Sequence, residues 1–140
     1  MDPKVKEAIY RAVEREPFAR ALKMELVELD EGFSAVEMTY EPAGMDNMFG
    51  RAHGGALFAL IDEAFETVCQ TYGTVTVALN VSVTYVTSPE AGTRLRAEAR
   101  EVSSTKRTAG YDIRVMDQEG RLMATCQALG YRTGKPLPFL

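Results

Sequence analysis

The sequence predicts an α+β roll in which one buried helix packs against a largely antiparallel sheet of about six strands. Residues 54–71 are apolar around most of a helical circumference, which is typical of a buried helix. On either side of this segment, apolar and polar residues alternate with the period of half-buried strands. Because a single helix leaves the other face of such a sheet uncovered, self-association is expected.

The composition predicts one globular domain over residues 1–140. Apolar residues make up 46% and charged residues 26% of the chain, close to globular averages, and no repeat or linker divides it. The net charge of −4 argues against a nucleic-acid or anionic-membrane partner. The charged N-terminus does not resemble a signal peptide, and no apolar run approaches the roughly 20 residues of a membrane span. We therefore expect a cytoplasmic protein.

The first third of the chain predicts a helix and a hairpin. Residues 3–15 carry apolar side chains at helical spacing, with Asp2 as the N-cap and Pro17 as a stop signal. Residues 21–29 and 33–40 alternate like two strands that are joined by an Asp-Glu-Gly turn.

The rest of the chain predicts a loop, the buried helix and four strands. Residues 41–52 lack strand periodicity and are expected to form the loop, and Gly73 is expected to end the helix. The four strand segments are rich in β-branched residues, are separated by turn residues, and comprise residues 75–86, 95–102, 107–116 and 121–131.

Several kinds of chemistry are excluded by the residues available. His53 is the one histidine, and Cys69 and Cys126 form no Cys-x-x-Cys pair, so a zinc site is not expected. Both cysteines are instead expected to be buried and unpaired. The nucleophile elbow, the phosphate-binding loop and the dinucleotide-binding glycine motif are absent. We therefore expect no metal and no cofactor, with the chemistry supplied by carboxylates, amides and backbone dipoles.

The candidate active site lies at the start of the buried helix, which His53-Gly54-Gly55 opens. Two glycines at a helix N-terminus let a ligand approach the unpaired N–H groups, as an oxyanion hole requires. Asp62 follows two turns later in an otherwise apolar stretch. A carboxylate in such a position costs stability unless it is paired, hydrated or used.

A structural role is open at each of these positions from the residues alone. Asp62 fits the solvent-exposed edge of a helix, on a face shared with Glu66, and His53 fits a cap or a packing residue. The glycine pair fits a tight turn with close packing, and Asn47 fits ordinary loop chemistry.

The combined pattern resembles that of a known family. Residues 47–55 read N-x-x-G-x-x-H-G-G, and Asp62 follows the histidine by nine positions. With this pattern the chain resembles the hot-dog-fold acyl-CoA thioesterases, specifically the phenylacetyl-CoA thioesterase-like branch, over almost its whole length. The resemblance implies the hot-dog fold, a long central helix wrapped by an antiparallel sheet. It also implies a homo-oligomer, either a dimer or a homotetramer built from two dimers.

The resemblance implies a role for each residue of the motif. Asp62 matches the catalytic carboxylate, which acts as general base or as nucleophile through a mixed anhydride. The Gly54 amide, with Gly55 nearby, matches the oxyanion donor that polarises the thioester carbonyl. His53 and Asn47 match the side chains that flank the thioester. In this family the site lies between two subunits, so that Asp62 of one chain would face the glycine turn of the other.

The substrate-binding residues follow from the same resemblance. Many relatives place Ser or Thr on the strand after the helix; here that position falls on Ala78, and Asn80 is the candidate substitute. Ser104, Lys106 and Arg107 match a polar, basic strand start near the CoA nucleotide, where the two cations could pair with phosphates. A solvated turn is the alternative for this segment. The residues that could line an acyl pocket, or else belong to the core, are Met45, Met48, Phe49, Leu57, Phe58 and Phe65.

The predicted function is hydrolysis of an aryl-acyl or medium-chain acyl-CoA to the free acid and CoA, with acyl-CoA and further copies of the chain as partners. A thioester is already activated, so one positioned carboxylate and one N–H dipole are sufficient. Two alternatives stay open. One is a non-catalytic acyl-CoA-binding or regulatory hot-dog domain, and the other is an acyl-thioester hydratase or dehydratase.

Overall fold

The predicted architecture is confirmed by the computed structural model, which describes residues 1–140. One long helix packs on a six-stranded antiparallel sheet. The helices are α1 (Pro3–Arg15), α2 (Pro17–Ala21), α3 (Pro42–Met45) and α4 (Gly54–Cys69). The strands are β1 (Glu25–Asp30), β2 (Phe33–Thr39), β3 (Thr74–Tyr85), β4 (Arg94–Ser104), β5 (Thr108–Met116) and β6 (Leu122–Pro136).

The strands lie in the order β1-β2-β4-β5-β6-β3, and every neighbouring pair is antiparallel. The two edges of the sheet are therefore β1 and β3. β3 is a 12-residue strand that pairs with β6 on one side and with no strand on the other. Such an edge presents free backbone N–H and C=O groups to which another strand can pair.

The helix α4 supplies the centre of the core. Its Leu60, Ile61 and Val68 side chains are fully buried. Phe65 of the same helix contacts Tyr111 of β5 edge-to-face, with 5.4 Å between the ring centroids. Burying a side chain of this size stabilises the fold by about 1.5–3 kcal/mol.

The face of the sheet opposite α4 carries a network of ion pairs. Arg94 and Arg96 of β4 bind Glu37 of β2 and the β1 carboxylates of Glu25 and Glu28, at 2.6 to 3.2 Å. Each partly exposed pair contributes little stability by itself. Arg94 and Arg96 are two positions apart and so point to the same face of the sheet. This is the alternation of charged and apolar residues that predicted β4.

The start of the first strand and the end of the last strand differ most from the prediction. α1 ends as predicted, but Pro17 also begins the helical turn α2, because proline is accepted at the first position of a helix. The first strand consequently starts at Glu25 instead of residue 21. β6 continues to Pro136, beyond the predicted end at residue 131, because its last residues pair with the start of β3.

Both cysteines are buried free thiols, as predicted. Burial raises the pKa of Cys69 to about 12 and that of Cys126 to about 11, so neither is a reactive thiolate at neutral pH. None of the helices is both long enough and apolar enough to cross a membrane.

Candidate active site

The helix α4 begins at the predicted glycine pair and is capped by His53. The Nδ1 atom of His53 accepts a hydrogen bond from the Gly55 N–H at 2.9 Å, and the His53 N–H donates to the Met45 carbonyl at 2.7 Å. With Nδ1 as the acceptor, a neutral imidazole carries its proton on Nε2. His53 therefore acts as the cap that the sequence left open as an alternative, and its Nε2–H is still a donor for another group.

The two glycines differ in what their N–H groups do. The Gly55 N–H is occupied by His53, whereas the Gly54 N–H, at the first position of the 16-residue helix, has no acceptor in the chain. The helix dipole places partial positive charge at this end. Of the two predicted oxyanion donors, Gly54 is thus the one whose N–H is free to bind a carbonyl oxygen.

Tyr85, which the sequence analysis did not single out, packs on Gly54. Its hydroxyl donates to the Gly54 carbonyl at 2.9 Å, across 31 residues of sequence. A Cβ atom at position 54 would lie 3.1 Å from Cζ and 3.2 Å from the hydroxyl oxygen of Tyr85, closer than an ordinary contact. Close packing is therefore one reason for glycine at this position. No local sequence signal predicts it, because the two residues meet only in the folded chain.

The Asn47 side chain builds the loop before α4. Its Oδ1 atom accepts hydrogen bonds from the N–H groups of Phe49 and Arg51, at 2.9 and 3.1 Å. A β-bridge between Asp46 and Ala52 closes the base of this loop. Within a single chain Asn47 therefore has the loop-forming role that the sequence left open. The amide nitrogen of its side chain is still free to donate a hydrogen bond.

The Asp62 carboxylate lies on the one face of α4 that does not pack on the sheet. The exposed residues of this helix are Gly55, Phe58, Asp62 and Glu66, spaced three or four apart. Asp62 forms no ion pair, and partial burial raises the pKa of its carboxyl group above the ordinary value. A carboxylate that is accessible, unpaired and of raised pKa is a suitable general base or nucleophile.

A single chain does not bring the carboxylate to the free N–H group. Asp62 follows Gly54 by eight residues on the same helix, and a rise of 1.5 Å per residue separates them by about 12 Å along the axis. One thioester carbonyl cannot contact both groups across that distance.

Three glutamates beside Asp62 form a carboxylate cluster that the sequence analysis did not identify. Carboxylate oxygens of Glu16, Glu63 and Glu66 lie within 4.8 Å of one another, and this is the one group of side chains with metal-ligand spacing. Glu63 is buried, and its Oε1 atom has no hydrogen-bond partner. Burial, with the neighbouring carboxylates, raises the pKa of Glu63 to about 8 and that of Glu66 to about 7. At pH 7 Glu63 is mostly a neutral acid, which lowers the cost of burying it.

The two β3 positions that were considered for the Ser or Thr of the relatives, Ala78 and Asn80, lie on opposite faces of the sheet. Ala78 pairs with Gly130, which packs against the core, whereas Asn80 pairs with Leu129, which is exposed on the other face. An irregularity in the strand at Leu79 causes this change of register. Asn80 therefore does not occupy the place of a side chain at position 78, and strict alternation could not have located it.

The predicted nucleotide-binding residues lie at the end of β4 and in the turn that joins it to β5. Ser104, Lys106 and Arg107 are all exposed, and neither cation forms an ion pair. Two unpaired cations on neighbouring residues make a local positive charge on an acidic protein.

Arg132 and Glu101, which the sequence analysis did not single out, support this turn. Arg132 donates from its backbone to the Arg107 carbonyl at 2.8 Å and from its side chain to the Thr105 carbonyl at 3.2 Å. A largely buried ion pair of 2.9 Å with Glu101 holds the guanidinium in place. Tyr72, just beyond α4, donates to Glu101 at 3.0 Å. The turn is thus near the C-terminal end of α4, away from the capped N-terminus.

The residues proposed for an acyl pocket divide into two groups. Met45, Leu57 and Phe65 belong to the hydrophobic core and are buried there. Met48 and Phe49 are exposed at the tip of the loop before α4. Phe58 is partly exposed on the same face as Asp62. The six residues therefore do not form one pocket in the chain.

Comparisons with known proteins agree with this fold. The family model of the Thioesterase superfamily matches residues 49–124, more than half of the chain and including the glycine pair and Asp62. The acyl-coenzyme A thioesterase PaaI of Escherichia coli K12 is 32% identical over 134 residues, covering 96% of this chain and 95% of that protein.

Solved structures show the same relationship. The E. coli PaaI structure superimposes with a TM-score of 0.89 at 31% identity, covering 95% of this chain and 96% of that one. A Streptococcus mutans UA159 protein bound to acetyl CoA superimposes with a TM-score of 0.76 at 27% identity, covering 81% of this chain and 91% of that one. The resemblance stated from the sequence is confirmed, and the chain belongs to the thioesterase superfamily, with the hot-dog fold.

Proposed function

We propose that the protein is an acyl-CoA thioesterase that hydrolyses an aryl-acyl or medium-chain acyl-CoA to the free acid and CoA. The observation that carries the proposal is the free Gly54 N–H at the start of the helix that also bears the accessible, unpaired Asp62 carboxylate. The acyl-coenzyme A thioesterase of E. coli and the acetyl CoA bound in the S. mutans structure support the substrate class.

The chemistry follows from these two groups. The Gly54 N–H donates to the thioester carbonyl oxygen and stabilises the negative charge that develops there. The Asp62 carboxylate takes a proton from water as it attacks the carbonyl carbon, or attacks that carbon directly and forms a mixed anhydride that water then cleaves. In both routes the C–S bond breaks and the thiolate leaves, and the raised pKa of Asp62 makes it a better base. His53 Nε2–H and the Asn47 side-chain amide are the donors that flank the thioester.

The site is shared between two copies of the chain. Support comes from the separation of about 12 Å between Gly54 and Asp62 along α4, which one thioester cannot bridge. Antiparallel association brings Asp62 of one protomer to the glycine turn of its partner. The unpaired edge of β3, with the exposed apolar side chains of Val77 and Leu79, supplies a surface for such an association. A dimer, or two dimers in a tetramer, satisfies this requirement.

The turn of Ser104, Lys106 and Arg107 binds the phosphates of CoA. Its exposed cations are unpaired, and the Glu101–Arg132 ion pair holds the backbone from which they project. Phosphate binds most favourably to cations that do not have to break an existing ion pair.

The hydrogen bonds of His53 argue against a hydratase or dehydratase. Those enzymes use a histidine paired with an acidic residue, whereas His53 Nδ1 accepts from the Gly55 backbone. The remaining alternative is a non-catalytic acyl-CoA-binding domain. It is distinguished from a thioesterase by whether the protein hydrolyses acyl-CoA.

The decisive measurement is release of free thiol from phenylacetyl-, benzoyl-, hexanoyl- and palmitoyl-CoA. Asp62→Asn is expected to lower kcat/KM by at least about 10²-fold, because an amide is neither a base nor a nucleophile. Asp112→Asn, which alters an exposed aspartate on β5, is the matched control and should retain activity. Saturable binding without turnover in the wild type would instead establish the regulatory alternative.

Subunit complementation tests the shared site. Asp62→Asn chains and Gly54→Ala chains, each inactive alone, are mixed under conditions that allow subunit exchange. A random mixture contains about half heterodimers, each with one intact site, so roughly a quarter of the wild-type activity should return. No recovery, although exchange is demonstrated, would place both groups in one chain's site and contradict the shared arrangement.

A further inference from the structure

A cavity of about 570 Å³ opens between α1, α4, the start of β3 and the C-terminal residues 137–139. Its size lies within the range of about 300–1,000 Å³ that is typical of small-molecule sites. Much of its wall is apolar, with the side chains of Ile9, Val13, Val75, Val77, Leu137 and Phe139. Such a wall suits a hydrocarbon or aromatic group.

The cavity lies one helical turn from Asp62. Glu66, Thr67 and Gln70 line it from α4, and Glu66 follows Asp62 by four residues on the exposed face of that helix. Side chains spaced in this way are about 5–6 Å apart. A thioester whose carbonyl carbon is attacked at Asp62 can therefore extend its acyl group into the cavity, toward the C-terminal end of α4.

The charged residues of the cavity wall are two glutamates and one arginine. Glu16 and Glu66 line the cavity, and the buried Glu63, with its unpartnered Oε1 atom, lies within 4.8 Å of both. The single cation in the lining is Arg15, which is exposed and forms no ion pair with the three glutamates. Above pH 7, where Glu66 is ionised, a second carboxylate brought into this space would lose its hydration and meet negative charge on Glu66.

We propose that this cavity holds the acyl group, and that the glutamates in its wall make the enzyme select uncharged acyl groups and reject those that end in a carboxylate. The inference rests on the proposed thioesterase activity. It moves the acyl site from the six residues considered from the sequence to the space between α1, α4, β3 and the C-terminal segment. Ala12, Glu66 and Phe139 are then specificity-determining residues.

The test compares three substrates in the intact protein at about pH 8, above the pKa of Glu66. They are acetyl-CoA, hexanoyl-CoA, and glutaryl-CoA, which matches hexanoyl-CoA in length but ends in a carboxylate. Glu66→Gln removes one charge at constant shape, and Ala12→Phe fills part of the cavity. The control is Glu14→Gln, which changes an exposed residue on α1, the helix of Ala12, outside the cavity lining. Because each readout is a ratio of kcat/KM values between two substrates, an effect on Asp62 common to both cancels.

The wild type is expected to prefer hexanoyl-CoA over glutaryl-CoA, and Glu66→Gln should raise the glutaryl-to-hexanoyl ratio at least about tenfold. Ala12→Phe should lower the hexanoyl-to-acetyl ratio at least about tenfold, because the longer chain loses its space. Glu14→Gln should leave both ratios unchanged. Unchanged ratios in Glu66→Gln and Ala12→Phe, in an enzyme that hydrolyses hexanoyl-CoA, would overturn the acyl-cavity assignment alone. Absence of turnover on every ester would overturn the proposed function itself.

Discussion

A Gly54→Ala substitution distinguishes substrate binding at the helix N-terminus from packing against Tyr85. The added Cβ atom would lie 3.1 Å from Cζ and 3.2 Å from the hydroxyl oxygen of Tyr85, so the ring must move. The hydrogen bond from the Tyr85 hydroxyl to the Gly54 carbonyl is then lost. The same methyl group lies beside the Gly54 N–H and restricts the approach of a carbonyl oxygen.

The expected cost in stability is small. Loss of the hydrogen bond removes about 0.5–1.5 kcal/mol. Alanine is favoured over glycine within a helix by roughly 0.5–1 kcal/mol, and Gly54 does not have the positive φ that only glycine accepts readily. The two effects oppose each other, so the free energy of unfolding should change by less than about 1 kcal/mol. Urea denaturation measures this change.

The expected cost in activity is large. Alanine keeps the N–H but obstructs it, so kcat should fall by up to the roughly 10²–10³-fold that follows complete loss of an oxyanion donor. Thiol release from hexanoyl-CoA measures the change, and the double variant Gly54→Ala/Tyr85→Ala supplies the control. Removing the Tyr85 ring relieves the steric conflict but leaves the methyl group beside the N–H, so the double variant should stay as inactive as Gly54→Ala. Activity restored to within about threefold of Tyr85→Ala alone would refute the oxyanion role and leave packing as the reason for the glycine.

Two further predictions concern the groups that the sequence did not reveal. The folded-state pKa of Glu63, about 8, is raised above its unfolded value, so the folded protein keeps a proton that the unfolded chain releases. Stability should therefore fall as the pH rises from about 5 to 8, and Glu63→Gln should weaken this fall in urea titrations; an identical pH dependence in the variant would contradict the assignment. Glu101→Gln should loosen the turn of Lys106 and Arg107 through Arg132 and raise KM for hexanoyl-CoA roughly 3–10-fold at unchanged kcat. KM for the hexanoyl-pantetheine thioester, which lacks the nucleotide, should not change; an equal rise for both substrates would mean that the ion pair is merely structural.

The sequence by itself determined the elements whose signals are local. The apolar circumference of residues 54–71, the alternation in the strand segments and the cap at Asp2 each act over a few residues, and the corresponding elements are present in the structure. The His-Gly-Gly motif and Asp62 could be identified from the sequence, because a helix start and a charged residue in an apolar helix are both defined by residues close together in the chain. Family membership followed from the same motif.

The tertiary structure decided what depends on residues far apart in sequence. Pairing with β3 extended β6, a local irregularity moved Asn80 to the other face of the sheet, and the end of α1 brought Glu16 to Glu63 and Glu66. The His53 side chain determines which of the two glycines has a free N–H group. The contact of Tyr85 with Gly54 depends on where β3 ends. Periodicity and capping reflect interactions within one or two turns of chain, whereas cavities, buried ion pairs and raised pKa values arise from packing between elements. Such packing exists only once the whole chain has folded.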